Sequence, residues 1–230
     1  MSFRFKQFYI EDSKCAMKVG TDGVLLGAWA ETEDVRCQMS DVRILDVGTG
    51  SGLIARMMMQ RFPEAEVEGI DIDEAAVEQA RENGVQAYVS RLQEWKKEGG
   101  YDLIVSNPPY FQNSLKNPDK GRELARHTDS LSYEELIDHS ARLLRERGQL
   151  ALILPADKEA EMRQIAASKN LFLTHVTRVY SKESKPARRV LLAFRYQISD
   201  ISRTEDTLIL EDDKGGRSTA YQELTKDFYL

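Results

Sequence analysis

The 230-residue sequence predicts an α/β fold built on a doubly wound, mostly parallel sheet of seven strands with helices on both faces. The main observation is that apolar, strand-like segments alternate with segments of helical periodicity along the chain. The second is that acidic or glycine-rich turns directly follow two of these runs, as at the carboxyl ends of parallel strands. The predicted strands cover residues 42–47, 67–71, 85–89, 103–106, 150–154, 171–180 and 190–197.

The helices between these strands are predicted at residues 53–62, 74–83 and 133–145. Ser132 and Glu135 have the spacing of a capping box at the start of the third helix, and Gly148 suits the position past its end. The last two strands are expected to pair antiparallel at the sheet edge. A short strand at residues 207–211 and a helix from Thr219 complete the fold.

The amino-terminal forty residues are predicted to form a hairpin and a helix. Residues 3–10 and 16–19 are the expected strands, residues 11–14 the turn, and residues 22–30 the helix. We expect the chain to form a single domain, residues 1–230, in which residues 1–40 close over the ligand site of a core of residues 41–230.

Composition excludes several classes of protein. No apolar stretch reaches membrane-spanning length, and the first residues lack the apolar segment of a signal peptide, so we expect a cytoplasmic protein. Cys15 and Cys37 show no CxxC spacing, and three scattered histidines form no ligand pattern, so no metal is expected. The formal charge of −6 argues against a dedicated nucleic-acid scaffold.

A glycine-rich turn follows the first predicted strand of the sheet. Asp46 precedes three alternate glycines, Gly48, Gly50 and Gly52, and a second strand ends in Asp71 about twenty residues later. Glycine lets the backbone approach a ligand closely, and a strand-terminal acid at this distance holds a ribose in dinucleotide folds. Because the glycine spacing differs from the dinucleotide fingerprint and an acid precedes it, the turn favours S-adenosylmethionine, whose amino group needs an anion.

The segment Asn107-Pro108-Pro109-Tyr110 follows a buried strand. Two prolines force the chain out of the sheet in a stiff, extended turn. The Asn107 side-chain oxygen and the Pro108 carbonyl can accept hydrogens from an exocyclic amino group, while Tyr110 stacks on the ring and Phe111 forms a wall. A simpler interpretation is a proline-stiffened turn with a capping asparagine.

These motifs resemble those of a known class. Residues 46–52, Asp71 and residues 107–110 are similar to motifs I, II and IV of amino-methylating, S-adenosylmethionine-dependent class I methyltransferases. Residues 15–29 and the carboxyl-terminal residues 188–194 and 221–230 resemble more narrowly the bacterial tRNA1(Val) adenine-N6 methyltransferases, which modify adenosine 37, just 3′ of the anticodon.

The resemblance implies roles for further residues. Lys18 and Thr21 would lie at the methionine end of the cofactor, although Thr21 could instead cap the helix that follows. Many relatives carry an acid that contacts the cofactor adenine where this chain has Ser90, so Ser90 is the expected contact. Asn107 would touch both the cofactor and the target base.

The implied partner is the anticodon stem-loop of a tRNA, bound by a monomer. Three segments are rich in basic residues, and to bind tRNA they would have to lie close together around the methyl-transfer site. They are residues 116–127 with Arg122 and Arg126, residues 178–189 with Arg188 and Arg189, and the lysines Lys6, Lys14 and Lys18.

Other functions share parts of this pattern. A protein-glutamine methyltransferase carries a helical domain before the glycine turn, whereas this chain has only about forty residues there. An rRNA guanine-N2 methyltransferase favours Phe in place of Tyr110, and a DNA adenine methyltransferase needs a target-recognition domain. A silent cofactor-binding subunit would not need the Asn-Pro-Pro-Tyr segment.

Overall fold

A computed structural model describes residues 2–31, 41–109, 131–196 and 203–230. The strands in these ranges are β1 Ser2–Arg4, β2 Tyr9–Glu11, β3 Arg43–Val47, β4 Glu66–Asp71, β5 Gln86–Val89, β6 Tyr101–Ser106, β7 Leu144–Pro155, β8 Leu171–Tyr180, β9 Ala187–Tyr196 and β10 Thr204–Ile209. The α-helices are α1 Thr21–Trp29, α2 Leu53–Arg61, α3 Glu74–Glu82, α4 Tyr133–Leu143, α5 Glu159–Ser168 and α6 Thr219–Thr225.

The central sheet has the order β10-β8-β9-β7-β6-β3-β4-β5 in the described residues. Pairing is parallel except on the two sides of β9, which is antiparallel to both β7 and β8. The predicted doubly wound, mostly parallel sheet is confirmed. It contains eight strands rather than seven, because residues 204–209 extend the sheet beyond β8.

Two apolar layers cover the faces of the sheet. Side chains alternate along β3, so Ile44 packs with α1, α2 and α3 on one face while Leu45 packs with α4 and α5 on the other. β6 is buried along its whole length. A smaller cluster, including Phe5 and Phe8, seats the amino-terminal hairpin on α1 and α2.

The chain order places the switch point of the sheet at the carboxyl end of β3. From β3 the chain proceeds outward through β4 and β5, and it returns on the other side of β3 through β6 and β7. Open α/β sheets bind ligands at such a point, because the loops that leave neighbouring strands diverge there. The turns after β3, β4 and β6, which carry the predicted motifs, therefore meet at one edge.

The amino-terminal hairpin differs from the prediction. Ser2–Arg4 pairs with Tyr9–Glu11, and the Phe5 N–H donates to the Phe8 carbonyl at 2.9 Å to close the turn. Residues 16–19 form no strand. The reason is burial of both Phe5 and Phe8, whose stacked rings, 4.8 Å apart, bend the chain between them.

Two predicted helix ends were also wrong. Helix α1 begins at Thr21 rather than at residue 22. Gly20 is the N-cap of α1, and no side chain caps this helix. α4 ends at Leu143, so Gly148 lies inside β7 rather than past the helix. A Cβ at Gly148 would come within 2.6 Å of the Tyr101 carbonyl, so close packing of β6 on β7 requires glycine there. The capping box of Ser132 and Glu135 is confirmed.

None of the helices in the described ranges is long and apolar enough to cross a membrane.

Candidate active site

The glycine turn after β3 leaves open space beside its backbone. Gly48 and Gly50 have φ values of +71° and +54°, and a Cβ built on either would meet no atom within 4 Å. Gly52, at φ +79°, is different, because its Cβ would lie 2.7 Å from the Val85 side chain. Gly52 therefore serves packing, whereas Gly48 and Gly50 border room for a ligand.

Asp46 lies beneath this turn and is fully buried. Its Oδ2 accepts hydrogen bonds from the Thr49 hydroxyl at 2.8 Å and the Ala55 N–H at 3.2 Å. Burial, helped by the nearby charge of Asp71, raises the pKa of Asp46 to about 7, against the opposing effect of these two bonds. Its Oδ1 has no hydrogen-bond partner within the described parts of the chain. Asp46 thus stabilises the turn through Oδ2, and its Oδ1 remains without a hydrogen-bond donor in the described residues.

Asp71, at the end of β4, holds the two flanking loops together. Its Oδ2 accepts from the Gly50 N–H at 2.9 Å, and its Oδ1 accepts from the Asp73 N–H at 3.0 Å. Each carboxylate oxygen can accept more than one hydrogen, so both retain capacity for ligand hydroxyls. Asp71 therefore joins the turn after β3 to the loop that leads into α3.

The Asn-Pro-Pro-Tyr segment begins at the same edge. The Ser106 hydroxyl donates to the Val47 carbonyl at 2.8 Å, which joins the end of β6 to the end of β3. Asn107 is half-buried, Pro108 buried and Pro109 exposed. Asn107 therefore lies one strand away from the glycine turn.

Four predicted substrate residues, Tyr110, Phe111, Arg122 and Arg126, lie outside the described residues.

The amino-terminal segment reaches this edge. The Asn107 Nδ2 donates to the Met17 sulfur at 3.8 Å. The Lys18 ammonium, however, donates to the backbone carbonyls of Asp12 and Ser13, at 2.7 and 3.4 Å, so it stabilises its own loop. Thr21 is exposed at the start of α1.

The Ser90 region places apolar surface beside Asp71. The Ser90 N–H donates to the Asp71 carbonyl at 2.9 Å, and the Ser90 hydroxyl donates to the Arg91 carbonyl at 3.1 Å. Sequence reasoning missed Ile72 and Val89, which are 55% and 50% exposed. Ile72 follows Asp71, and Val89 is paired with Asp71 across the sheet. Their sequence signal was weak, because single apolar side chains are common on protein surfaces.

The basic residues of β9 lie at the carboxyl edge of the parallel strands. Arg189 pairs in register with Pro155 at the end of β7. Its guanidinium donates to the Asp22 carboxylate at 2.8 Å, which ties β9 to α1. Arg188 is exposed, and its side chain has no ion-pair partner within the described ranges. Arg189 therefore has a structural role, and Arg188 is available for a ligand.

The third basic segment does not form a single surface. Lys6 donates to the Lys226 carbonyl after α6, whereas Lys14 pairs with Glu78 and Glu82 of α3 at 3.0 and 2.8 Å. Lys6 and Lys14 therefore contact two different parts of the protein, the end of α6 and the helix α3, and the ammonium group of each is bound by the protein itself.

Comparison with known proteins agrees with this geometry. A family model described as "Methyltransferase small domain" matches residues 34–179. A Phocaeicola vulgatus protein named tRNA1(Val) (adenine(37)-N6)-methyltransferase is 43% identical over 99% of this chain and 97% of its own length. The chain belongs to this methyltransferase family. A Parabacteroides distasonis member is 44% identical over the same shares of the two chains.

Solved structures support the fold of the family. A predicted O-methyltransferase from Agrobacterium tumefaciens matches with a TM-score of 0.66 at 20% identity, over 90% of this chain and 96% of its own. A 16S rRNA N2 G1207 methyltransferase of T. thermophilus matches with a TM-score of 0.57 at 20% identity, over 86% and 50%. The sheet is therefore that of a class I methyltransferase.

Proposed function

We propose that the protein transfers a methyl group from S-adenosylmethionine to the exocyclic N6 of adenosine 37 in tRNA1(Val). The observation that carries this proposal is near-complete alignment, at 40–44% identity, with relatives of that name. The site adds chemical support, since Asn107-Pro108 follows β6 beside a glycine turn with room for a ligand. Neither a protein glutamine nor an rRNA guanine is favoured as substrate by any of the features described above.

The residues at the edge fit the cofactor. The unpaired Oδ1 of Asp46 is an acceptor for a cationic amino group, and the open backbone at Gly48 and Gly50 allows close approach. Asp71 retains acceptor capacity for ribose hydroxyls, and the exposed Ile72 offers an apolar wall for an adenine ring. Lys18, Thr21 and Ser90 are further proposed contacts. The Lys18 ammonium and the Ser90 hydroxyl also donate to backbone carbonyls of their own loops.

Asn107 and Pro108 would prepare the target nitrogen. S-adenosylmethionine, when bound, supplies a methyl group that is already strongly electrophilic. The Asn107 side-chain oxygen and the Pro108 carbonyl accept the two N6 hydrogens and draw the nitrogen out of conjugation with the ring. Neither the Asn107 amide nor the Pro108 carbonyl can act as a base, so the N6 proton leaves to water. Tyr110 would stack on the flipped base, with Phe111 beside it.

The tRNA would dock across the carboxyl edge of the sheet. Arg188 is exposed there, and Lys185 lies in the preceding loop, residues 181–186. Arg122 and Arg126 are the proposed partners from the segment after Tyr110. A net charge of −6 does not oppose this surface, because phosphate attraction depends on local charge within about 10 Å.

We further propose that residues 1–230 act as a single domain and a monomer in the cytoplasm, where tRNA is found. One chain supplies Asp46, Asp71, Asn107 and Met17 to the same edge, which supports a site formed within a single protomer.

The test is methyl transfer from labelled cofactor to tRNA1(Val) transcripts that carry A37 or G37. We expect labelling of the A37 transcript alone. Equal labelling of both transcripts, or labelling of a glutamine peptide with neither transcript modified, would contradict the proposal.

A further inference from the structure

Residues 12–19 form a closed loop between β2 and α1. The carboxylate of the fully buried Asp12 accepts from the Val19 N–H at 3.0 Å. Its backbone carbonyl accepts from the Lys18 ammonium at 2.7 Å and from the Cys15 N–H at 3.2 Å. These bonds join the two ends of the loop and therefore restrain its shape.

The loop is anchored to α3. Gln79 is only 1% exposed, and its Oε1 accepts from the Ser13 hydroxyl at 3.2 Å and the Lys14 N–H at 3.3 Å. The Lys14 ammonium also pairs with Glu82. Because α3 follows the Asp71 loop, this anchor fixes the loop relative to the carboxyl edge of the sheet.

The tip of the loop is Met17, which contacts Asn107. Its sulfur lies 3.8 Å from the Asn107 Nδ2, and the side chain is 47% exposed. The Met17 side chain is therefore covered on one side only, and its sulfur is directed at Asn107.

The chemistry of the contact selects one orientation of the Asn107 amide. A thioether sulfur can accept a hydrogen but cannot donate one. It therefore favours the amide with its NH₂ toward Met17 and its oxygen turned away. The opposite orientation would set the oxygen against the sulfur and present an NH₂ group to the target amine, where an acceptor is required.

We propose that Met17 is a positioning residue that holds the Asn107 amide in the orientation needed to accept a hydrogen from the target nitrogen. This inference rests on the proposed function and names how its central residue is oriented. Met17 acts through Asn107, and the anchored loop of residues 12–19 keeps it in place.

Two substitutions separate this role from simple packing. Met17→Leu keeps the apolar volume and removes the acceptor, whereas Met17→Gln loses apolar character and supplies an oxygen acceptor. If Met17 orients the Asn107 amide, Met17→Gln should retain more methylation activity than Met17→Leu. If Met17 only packs against Asn107, Met17→Leu should retain more. Met59→Leu on α2 makes the same change at a site away from the edge and serves as the control.

The kinetic readout is single-turnover methylation of the A37 transcript, with cofactor and tRNA affinities measured separately. We expect Met17→Leu to lower the rate constant about two- to tenfold, the range of one neutral hydrogen bond, with both affinities unchanged. Met17→Gln should recover most of the rate, and Met59→Leu should match the parent. Full activity of Met17→Leu, or a larger loss for Gln than for Leu, would overturn the inference.

A second readout needs no tRNA. The side-chain NH₂ resonances of Asn107 in a ¹⁵N-labelled free protein can be assigned by their loss in Asn107→Asp. We expect Met17→Leu to shift them and Met59→Leu to leave them in place. If the parent fails to methylate the transcript, the proposed function is wrong, but the orientation of Asn107 by Met17 is not contradicted. If the Asn107 resonances are unshifted in Met17→Leu, the role of Met17 is wrong.

Discussion

Asp46→Asn should stabilise the free protein above neutral pH while weakening cofactor binding. Asn keeps an oxygen that can accept from the Thr49 hydroxyl and the Ala55 N–H, the two bonds made by the Asp46 carboxylate. It removes the charge that burial disfavours, since the pKa of Asp46 is raised to about 7.

The sign follows from proton linkage. A carboxyl group with a raised pKa binds its proton more tightly in the folded state than in the unfolded chain, whose value is 3.8. The contribution of Asp46 to the stability of the parent is therefore fully present below about pH 4, and it is lost as the pH rises through 7. The difference of about three pH units corresponds to roughly 4 kcal/mol in the free energy of unfolding. Because Asn does not titrate, the variant lacks this loss.

The assay is urea unfolding of the parent and of Asp46→Asn between pH 4 and pH 8.5. The advantage of the variant should grow across this range toward roughly 4 kcal/mol. Asp73→Asn, an exposed N-cap of α3 that Asn also caps well, is the matched control and should follow the parent. Calorimetry should show weaker S-adenosylmethionine binding for Asp46→Asn alone. Parallel stability profiles for the parent and Asp46→Asn would refute the role of burial.

Three further outcomes follow from the site. Asp71→Ala should weaken cofactor binding by roughly 1–3 kcal/mol in calorimetry, and unchanged affinity would remove Asp71 from the site. Thr21→Ala should leave the melting temperature near that of the parent, since the Thr21 side chain does not cap α1, so any loss of cofactor affinity would report a ligand contact. Arg188→Ala should reduce the salt dependence of tRNA binding in filter assays with no change in stability, whereas Arg189→Ala should also lower stability because it breaks the pair with Asp22. An Arg188→Ala variant with the parent's salt slope would place the docking surface elsewhere.

The parts of the site that sequence could predict are those defined by local pattern. Gly48, Gly50 and Asp71 follow apolar strands directly, and Asn107 follows another. Parallel strands of one sheet end at one edge, so the motifs had to meet once the fold class was known. Their actual order, with β3 between β4 and β6, makes the ends of these three strands neighbours.

The errors arose where distant contacts override local pattern. Phe5 and Phe8 are both buried against the α1–α2 layer, so the hairpin turns between them although no Gly or Pro marks the turn. Gly148 is required by the Tyr101 carbonyl of the neighbouring strand, not by a helix end. The pair between Arg189 and Asp22 joins residues 167 positions apart, and no local pattern indicates it.

The missed contact of Met17 has the same origin. Its place over Asn107 depends on the anchor of its loop to Gln79, which lies 65 positions from Lys14 in the chain. The family resemblance indicated that residues 15–29 are functional, but the contact between the Met17 sulfur and Asn107 is visible only in the folded structure.

The most direct test of the account is single-turnover methylation of an A37 transcript by the parent and by Asn107→Ala, with nucleoside mass spectrometry of the product. We expect N6-methyladenosine at position 37 for the parent. We expect no detectable product for Asn107→Ala, with cofactor and tRNA affinities nearly unchanged, because the amide oxygen acts most strongly as N6 changes geometry. A variant that methylates at the parent rate, or a loss of rate explained by lost cofactor binding, would contradict the central role of Asn107.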